Sequence, residues 1–226
     1  MQIPFFLLMG WFQDGCMLLS LLFSLKLINN DKVIKYMKYF YWYSIVGGIL
    51  VLLKWTNKNY SFPSNDIMSQ IRNYSVLFHF TFLSVFIYSI LPRKNNFKLL
   101  LLLFFSIVFI TVFCLVTGES TKANSVAFSI GNLGLVICCI IYFFGIFNNS
   151  PNQNLLKEPS FWIVSGIFLC MSAAIPVLSL YEYLRNENYV SQENKRNLTT
   201  IIYFAYGSLH LFLIKAYLCS ISLQKN

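Results

Sequence analysis

Aspartate 14, histidines 79 and 210 and lysine 215 fall inside long apolar runs of the chain. Each can hold a proton, a ligand or a counter-ion. Ionisable side chains are costly in hydrocarbon, so each one there marks a functional hypothesis by default. Asp14 sits beside Gln13 near the middle of the first run, and an ionised carboxylate there needs a cation, a wet cavity or several donors. The plainer reading is a hydrogen-bonded structural carboxyl. His79 and His210 can hold a ligand, although intramembrane imidazoles more often bond a neighbouring helix. Lys215 lies toward the end of the last run, where its long stem can carry the ammonium to the headgroups.

Depth selects among these groups. At 1.5 Å per residue, Asp14 lies roughly 14 Å past Phe5, His79 roughly 10 Å past Arg72, and His210 roughly 18 Å past Leu198. Lys215 lies deeper, at about 25 Å. A site formed by Asp14, His79 and His210 is therefore expected in one half of a bundle, between the first, third and seventh spans. An Asp14–Lys215 ion pair is not. A carboxyl–imidazole network of this kind would respond to pH.

Other chemistry lacks its residues. The two histidines and eight acids are too scattered for a zinc site. No nucleotide loop or cofactor motif occurs, and neither a Gly-x-Ser with histidine nor paired glutamates with histidines is present for intramembrane proteolysis. A retinal Schiff base on Lys215 would call for an acid one turn earlier and a carboxylate in the third span. Leu211 and His79 stand in those places. No metal, cofactor or catalytic residue is expected, and the chain reads as a non-enzyme.

The elements that position these groups follow from composition. Of 226 residues, 57% are hydrophobic and only 11% charged, against roughly 25% charged in soluble domains. Such a chain cannot cover a soluble fold with polar surface, but lipid can cover it. Apolar runs at about 5–28, 34–55, 72–91, 97–117, 124–147, 160–183 and 198–221 each approach the roughly 20 residues that cross a bilayer as a helix. The expected fold is all-α, a single domain over 1–226, a polytopic bundle of about seven transmembrane helices. The run from Ile3 to Ile28 lacks a basic leader and a cleavage site, so it reads as a first span. The net charge of +9 is spread between runs and reports membrane orientation rather than a nucleic-acid partner.

Orientation comes from the cations. Lys26, Lys32, Lys35, Lys38, Arg93, Lys94, Lys98, Lys157 and Lys225 border the odd loops and the C-terminus. Lys54, Lys58, Arg72, Lys122, Arg185, Lys195 and Arg196 border the even loops. The tight early clusters place the odd loops inside, giving N-out and C-in. The run Tyr36, Tyr39, Phe40, Tyr41, Trp42, Tyr43 reads as an interfacial aromatic belt. Pro159 suits a first helical turn, with Phe161 and Trp162 anchoring the same end. The six cysteines (Cys16, Cys114, Cys138, Cys139, Cys170, Cys219) all lie in apolar runs and are expected to be reduced packing residues.

Three stretches resemble a family of small seven-helix inner-membrane proteins of Bacteroidetes, itself similar to the membrane region of sensor histidine kinases. They are Asn73 to Thr81 with His79, Ala123-Asn124-Ser125, and Leu155 to Gly166. The last carries Lys157, Pro159, Phe161, Trp162 and Gly166, resembling a Lys-Asn-Pro-x-Phe-Trp-Ile-x-x-Gly pattern, and Lys215 matches as well. The chain departs from the family where Val85 and Phe86 replace a glutamate and Cys170 a tyrosine. The resemblance implies a multi-pass inner-membrane location and a sensor- or receptor-like module without its own catalytic domain. Its output would pass to a separate signalling protein. Two alternatives from other classes are a small transporter or channel component and a structural subunit of a larger membrane complex. The lipid bilayer is a partner in every case.

Overall fold

A computed structural model describes residues 5–28, 35–60, 65–91, 125–149, 154–186 and 191–223. Their elements are α1 (Phe5–Ile28), α2 (Lys35–Tyr60), α3 (Asn65–Ile90), α4 (Ser125–Asn149), a 3₁₀ turn (Leu155–Lys157), α5 (Pro159–Asn186) and α6 (Gln192–Leu223). No strand occurs among the described residues. Backbone groups in lipid can be satisfied within a helix, and these sequences supply the apolar length.

Five helical segments are long and apolar enough to cross a membrane: Phe5–Lys26, Tyr36–Tyr60, Phe128–Asn148, Pro159–Leu180 and Arg196–Ser222. The described residues are all-helical, and the chain is a multi-pass membrane protein. The third predicted span is qualified by the structure. α3 starts at Asn65 with Asp66, Gln70, Arg72 and Asn73 in its first turns, so its apolar part is Phe78–Ile90. The fourth predicted span, 97–117, lies outside the described residues, as does Cys114. The bounds of α1 match the sequence reading; α2 and α4 start one residue later than predicted, and the other ends of α2, α4, α5 and α6 run one to six residues beyond.

Side-chain contacts fix the helix directions. Asp14 meets Lys54, while Met17 and Leu21 approach Gly47 and Gly48, so α1 and α2 are antiparallel. Tyr43 meets His79, Phe40 meets Phe82, and Tyr36 meets Phe86, so α2 and α3 are antiparallel too. Phe6 with Arg196, Phe12 with Phe204, and Ser20 with His210 make α1 and α6 parallel. Trp162 meets Phe212 while Gly166 approaches Leu209, and Tyr142 meets Ser160, so α5 runs against both α6 and α4. Consequently α1, α3, α4 and α6 point one way, and α2 and α5 the other.

The core is apolar and aromatic. Phe40, Phe80, Leu83, Ile87, Leu135, Tyr142, Ile163, Ile167, Met171, Leu209, Leu213 and Tyr217 are buried between the helices. Large apolar side chains also cover the outside, among them Trp11, Leu22, Leu52, Phe144, Leu169, Phe204 and Leu211. In water such a surface would aggregate, whereas acyl chains cover it. The aromatic run at the start of α2 divides between these two roles. Tyr39 and Trp42 face outward, whereas Phe40 and Tyr43 enter the core.

Candidate functional site

A cavity of about 620 Å³ lies in the half of the bundle that holds the starts of α1, α3, α4 and α6. Asp14, His79 and His210, expected together between the first, third and seventh spans, all line it. Three of these helices are parallel and run inward from one face, so groups at similar depth come together. Gln13, Asp14 and Met17 come from α1, Ser75, Phe78 and His79 from α3, and Ile202, Tyr203, Tyr206 and His210 from α6. α2 contributes the length of one wall from Tyr43 to Asn57, while Phe128 and Leu178 close the remaining side from α4 and α5. That volume falls in the range of small-molecule sites.

The polar groups form three separate pairs rather than one network. Asp14 accepts from the Lys54 ammonium at 3.0 Å on both carboxylate oxygens. The Trp55 indole N–H adds a longer contact at 3.4 Å. Lys54 also lies over the Tyr203 ring, 5.4 Å from its centroid. The Asp14 side chain is 7% exposed and that of Lys54 42%, so the carboxylate is sunk in the bundle and the lysine stem reaches inward to it from nearer the helix end. His79 Nδ1 lies 2.8 Å from the Tyr43 hydroxyl, and His210 Nδ1 lies 3.1 Å from Ser20 Oγ. Ser20 also donates to the Met17 carbonyl at 2.8 Å. That leaves its oxygen as an acceptor, so His210 donates from Nδ1.

No hydrogen bond joins the carboxyl to either imidazole among the described residues, so the expected carboxyl–imidazole network is replaced by these three pairs. Lys54 is the residue that sequence reasoning missed. The predicted second span ended at Trp55, which set Lys54 among the loop cations. α2 continues to Tyr60, which leaves Lys54 roughly 9 Å short of the helix end and Asp14 roughly 14 Å from the start of α1. A lysine stem spans that difference. Depth matching with the longer helix would have paired them.

Five side chains among the described residues hold buried polar atoms without a partner, namely Gln13, His79, Ser84, Asn132 and Ser220, and Gln13 and His79 line the cavity. His79 Nε2 is buried without a hydrogen-bond partner. Asn132 is fully buried on α4, and neither end of its amide has a partner. It stands one turn beyond Phe128, which lines the cavity.

The motif Pro159, Phe161, Trp162, Gly166 and Lys215 assembles elsewhere, at the opposite end of the bundle. Pro159 is the first residue of α5. The Trp162 indole donates to the Leu156 carbonyl at 2.9 Å, tying the 3₁₀ turn to the helix. Lys215 is exposed and lies over the Trp162 ring at 5.5 Å, a cation–π contact rather than a buried charge. A methyl added at Gly166 would stand 2.6 Å from Phe212 Cβ, so glycine is what lets α5 and α6 approach. Trp162, Gly166 and Lys215 join α5 to α6, Phe161 packs on Phe143 of α4, and none of the five lines the cavity.

The five described cysteines are buried and free. No group of three or more metal-ligating side chains gathers among the described residues. No family model, curated protein or solved structure matches the chain.

Proposed function

We propose that this chain is a receptor-like module of the cell inner membrane, whose bundle cavity binds a small molecule and which signals through a separate protein. The observation that carries the reading is the cavity itself, walled by all six described helices and holding the ion pair and both histidines. A ligand seated there touches every described helix, so its binding energy can favour one arrangement of the bundle over another.

Helix direction supports the seven-span reading. α3 and α4 are parallel, so the end of one and the start of the next lie on opposite faces. A chain that crosses once more between them, over the predicted span 97–117, meets that requirement. With the N-out, C-in orientation from the cation clusters, the cavity occupies the outer half and Trp162 and Lys215 mark the inner end. The resemblance to sensor-kinase membrane regions agrees with this direction of signalling.

The intramembrane ion pair on the cavity wall is what favours the transporter alternative, since such pairs also mark transport paths. One experiment separates the two readings. A chemically broad set of small molecules is screened against the protein in nanodiscs by thermal unfolding, and the strongest stabiliser is tested for flux into proteoliposomes. We expect a compound that raises Tm, protects amides near Asp14 and Lys54 from hydrogen exchange, and is not carried across. Flux of that compound would favour the transporter. A stabiliser that leaves those amides unprotected would overturn the assignment of the cavity.

A further inference from the structure

The charges on the cavity wall restrict what it can accept. Asp14 and Lys54 cancel one another, and no other described lining residue carries a fixed charge. An ionised ligand entering this space would leave water without meeting a free counter-ion, or would have to break the pair. Either course is costly in a low-dielectric bundle. A neutral ligand meets no such barrier.

The shape narrows the class further. The α2 wall runs from Tyr43 to Asn57, about 21 Å of helix, so 620 Å³ is drawn out into a narrow space. Its middle is apolar around Val46, Gly47 and Leu50, and hydrogen-bonding groups stand toward both ends. Toward the Tyr43 end, His79 Nε2 is buried without a hydrogen-bond partner, so a ligand oxygen that shifts the wall to reach it would satisfy a group otherwise left unpaired. If the Tyr43 hydroxyl donates to Nδ1, Nε2 carries the proton and calls for an acceptor such as a carbonyl.

We propose that the cavity selects an uncharged, elongated, lipid-soluble molecule bearing a ketone, quinone or similar oxygen, and that the Asp14–Lys54 pair enforces its neutrality. This rests on the receptor reading and deepens it. The ligand would reach the site by partitioning through lipid, as a neutral apolar body does.

The test compares three compounds with one ring system, 2-acetylnaphthalene, 2-naphthoate and 2-naphthylmethylammonium. Retention by protein-loaded nanodiscs is measured over empty nanodiscs by equilibrium dialysis. The native protein should retain the ketone roughly tenfold or more over either ion. Asp14→Asn strands a cation and should move the preference toward naphthoate by a similar factor. Lys54→Met strands an anion and should move it toward the ammonium compound. Val46→Trp, which fills the apolar middle, should remove retention of the ketone. If the native protein retains the naphthoate as well as the ketone, or if a folded charge variant leaves the ratios unchanged, the neutrality rule is wrong and the cavity still binds. If the native protein retains none of the three, both the rule and its premise of a lipophilic site fail. The native ratios decide the matter even where a variant does not fold.

Discussion

Lys54 and Asp14 are unequally wrapped, and that inequality predicts unequal consequences for losing either one. Lys54→Met leaves a carboxylate that is 7% exposed without its cation. The expected cost is about 3 kcal/mol, the low end for breaking a buried pair. Asp14→Asn leaves an ammonium on a side chain that is 42% exposed and can swing out to the headgroups, for a cost of about 1 kcal/mol. The double variant should recover about 2 kcal/mol relative to the sum, because the stranded carboxylate is gone. Reversible unfolding of the four proteins in the same detergent measures the cycle. Equal single losses, or additivity, would contradict the asymmetry. At this scale the sequence was legible for the groups that are wrong in lipid. An aspartate and two histidines within apolar runs stand out from their surroundings, and all three line the cavity. Lys54 did not stand out, because a lysine at the edge of an apolar run looks the same whether it faces water or reaches back to a carboxylate. The partners Tyr43 and Ser20 were hidden for another reason. Tyrosine and serine are unremarked in a transmembrane helix until the facing helix is known.

The helices meet through glycines, and those glycines are not alike. At Gly166 an added methyl would stand 2.6 Å from Phe212 Cβ, an atom fixed to the α6 backbone that cannot swing aside. Gly166→Ala should therefore push α5 from α6 and destabilise the bundle by roughly 1–3 kcal/mol, the range for overpacking. At Gly15 nothing lies within 4 Å of the added methyl. Gly15→Ala should be neutral or should stabilise α1 by up to about 1 kcal/mol through helix propensity. Thermal unfolding of both variants checks the contrast, and a destabilised Gly15→Ala with an unaffected Gly166→Ala would refute the interface as described. The sequence marked Gly166 only through its place in a motif. That the motif joins two helices and leaves the cavity alone required the position of Phe212, some forty-six residues on. Helix bounds were legible where an apolar run ends in a polar cluster, as α1 does at Ile28. They were not at Tyr60, because helical hydrogen bonding continues past the last apolar residue and through Asn57, Lys58 and Asn59.

Over the whole molecule, the proposed reading is a small-molecule cavity in the outer half of a seven-span bundle, with a helix-joining motif at the inner end. Composition and run length made the membrane class legible, since no soluble domain hides this much apolar surface. Orientation rests on cation clusters, and helix contacts are indifferent to which face is out. The measurement that bears most directly on the central claim is therefore accessibility from each side. With the six native cysteines replaced by Ala or Ser, Asn59→Cys would report the cavity end of α2 and Leu156→Cys the turn before α5. Both positions are exposed. An impermeant maleimide applied to intact cells should label residue 59 and leave residue 156 unlabelled until the membrane is permeabilised. Labelling of residue 156 in intact cells with protection of residue 59 would turn the cavity toward the cytoplasm and contradict a receptor for outside signals.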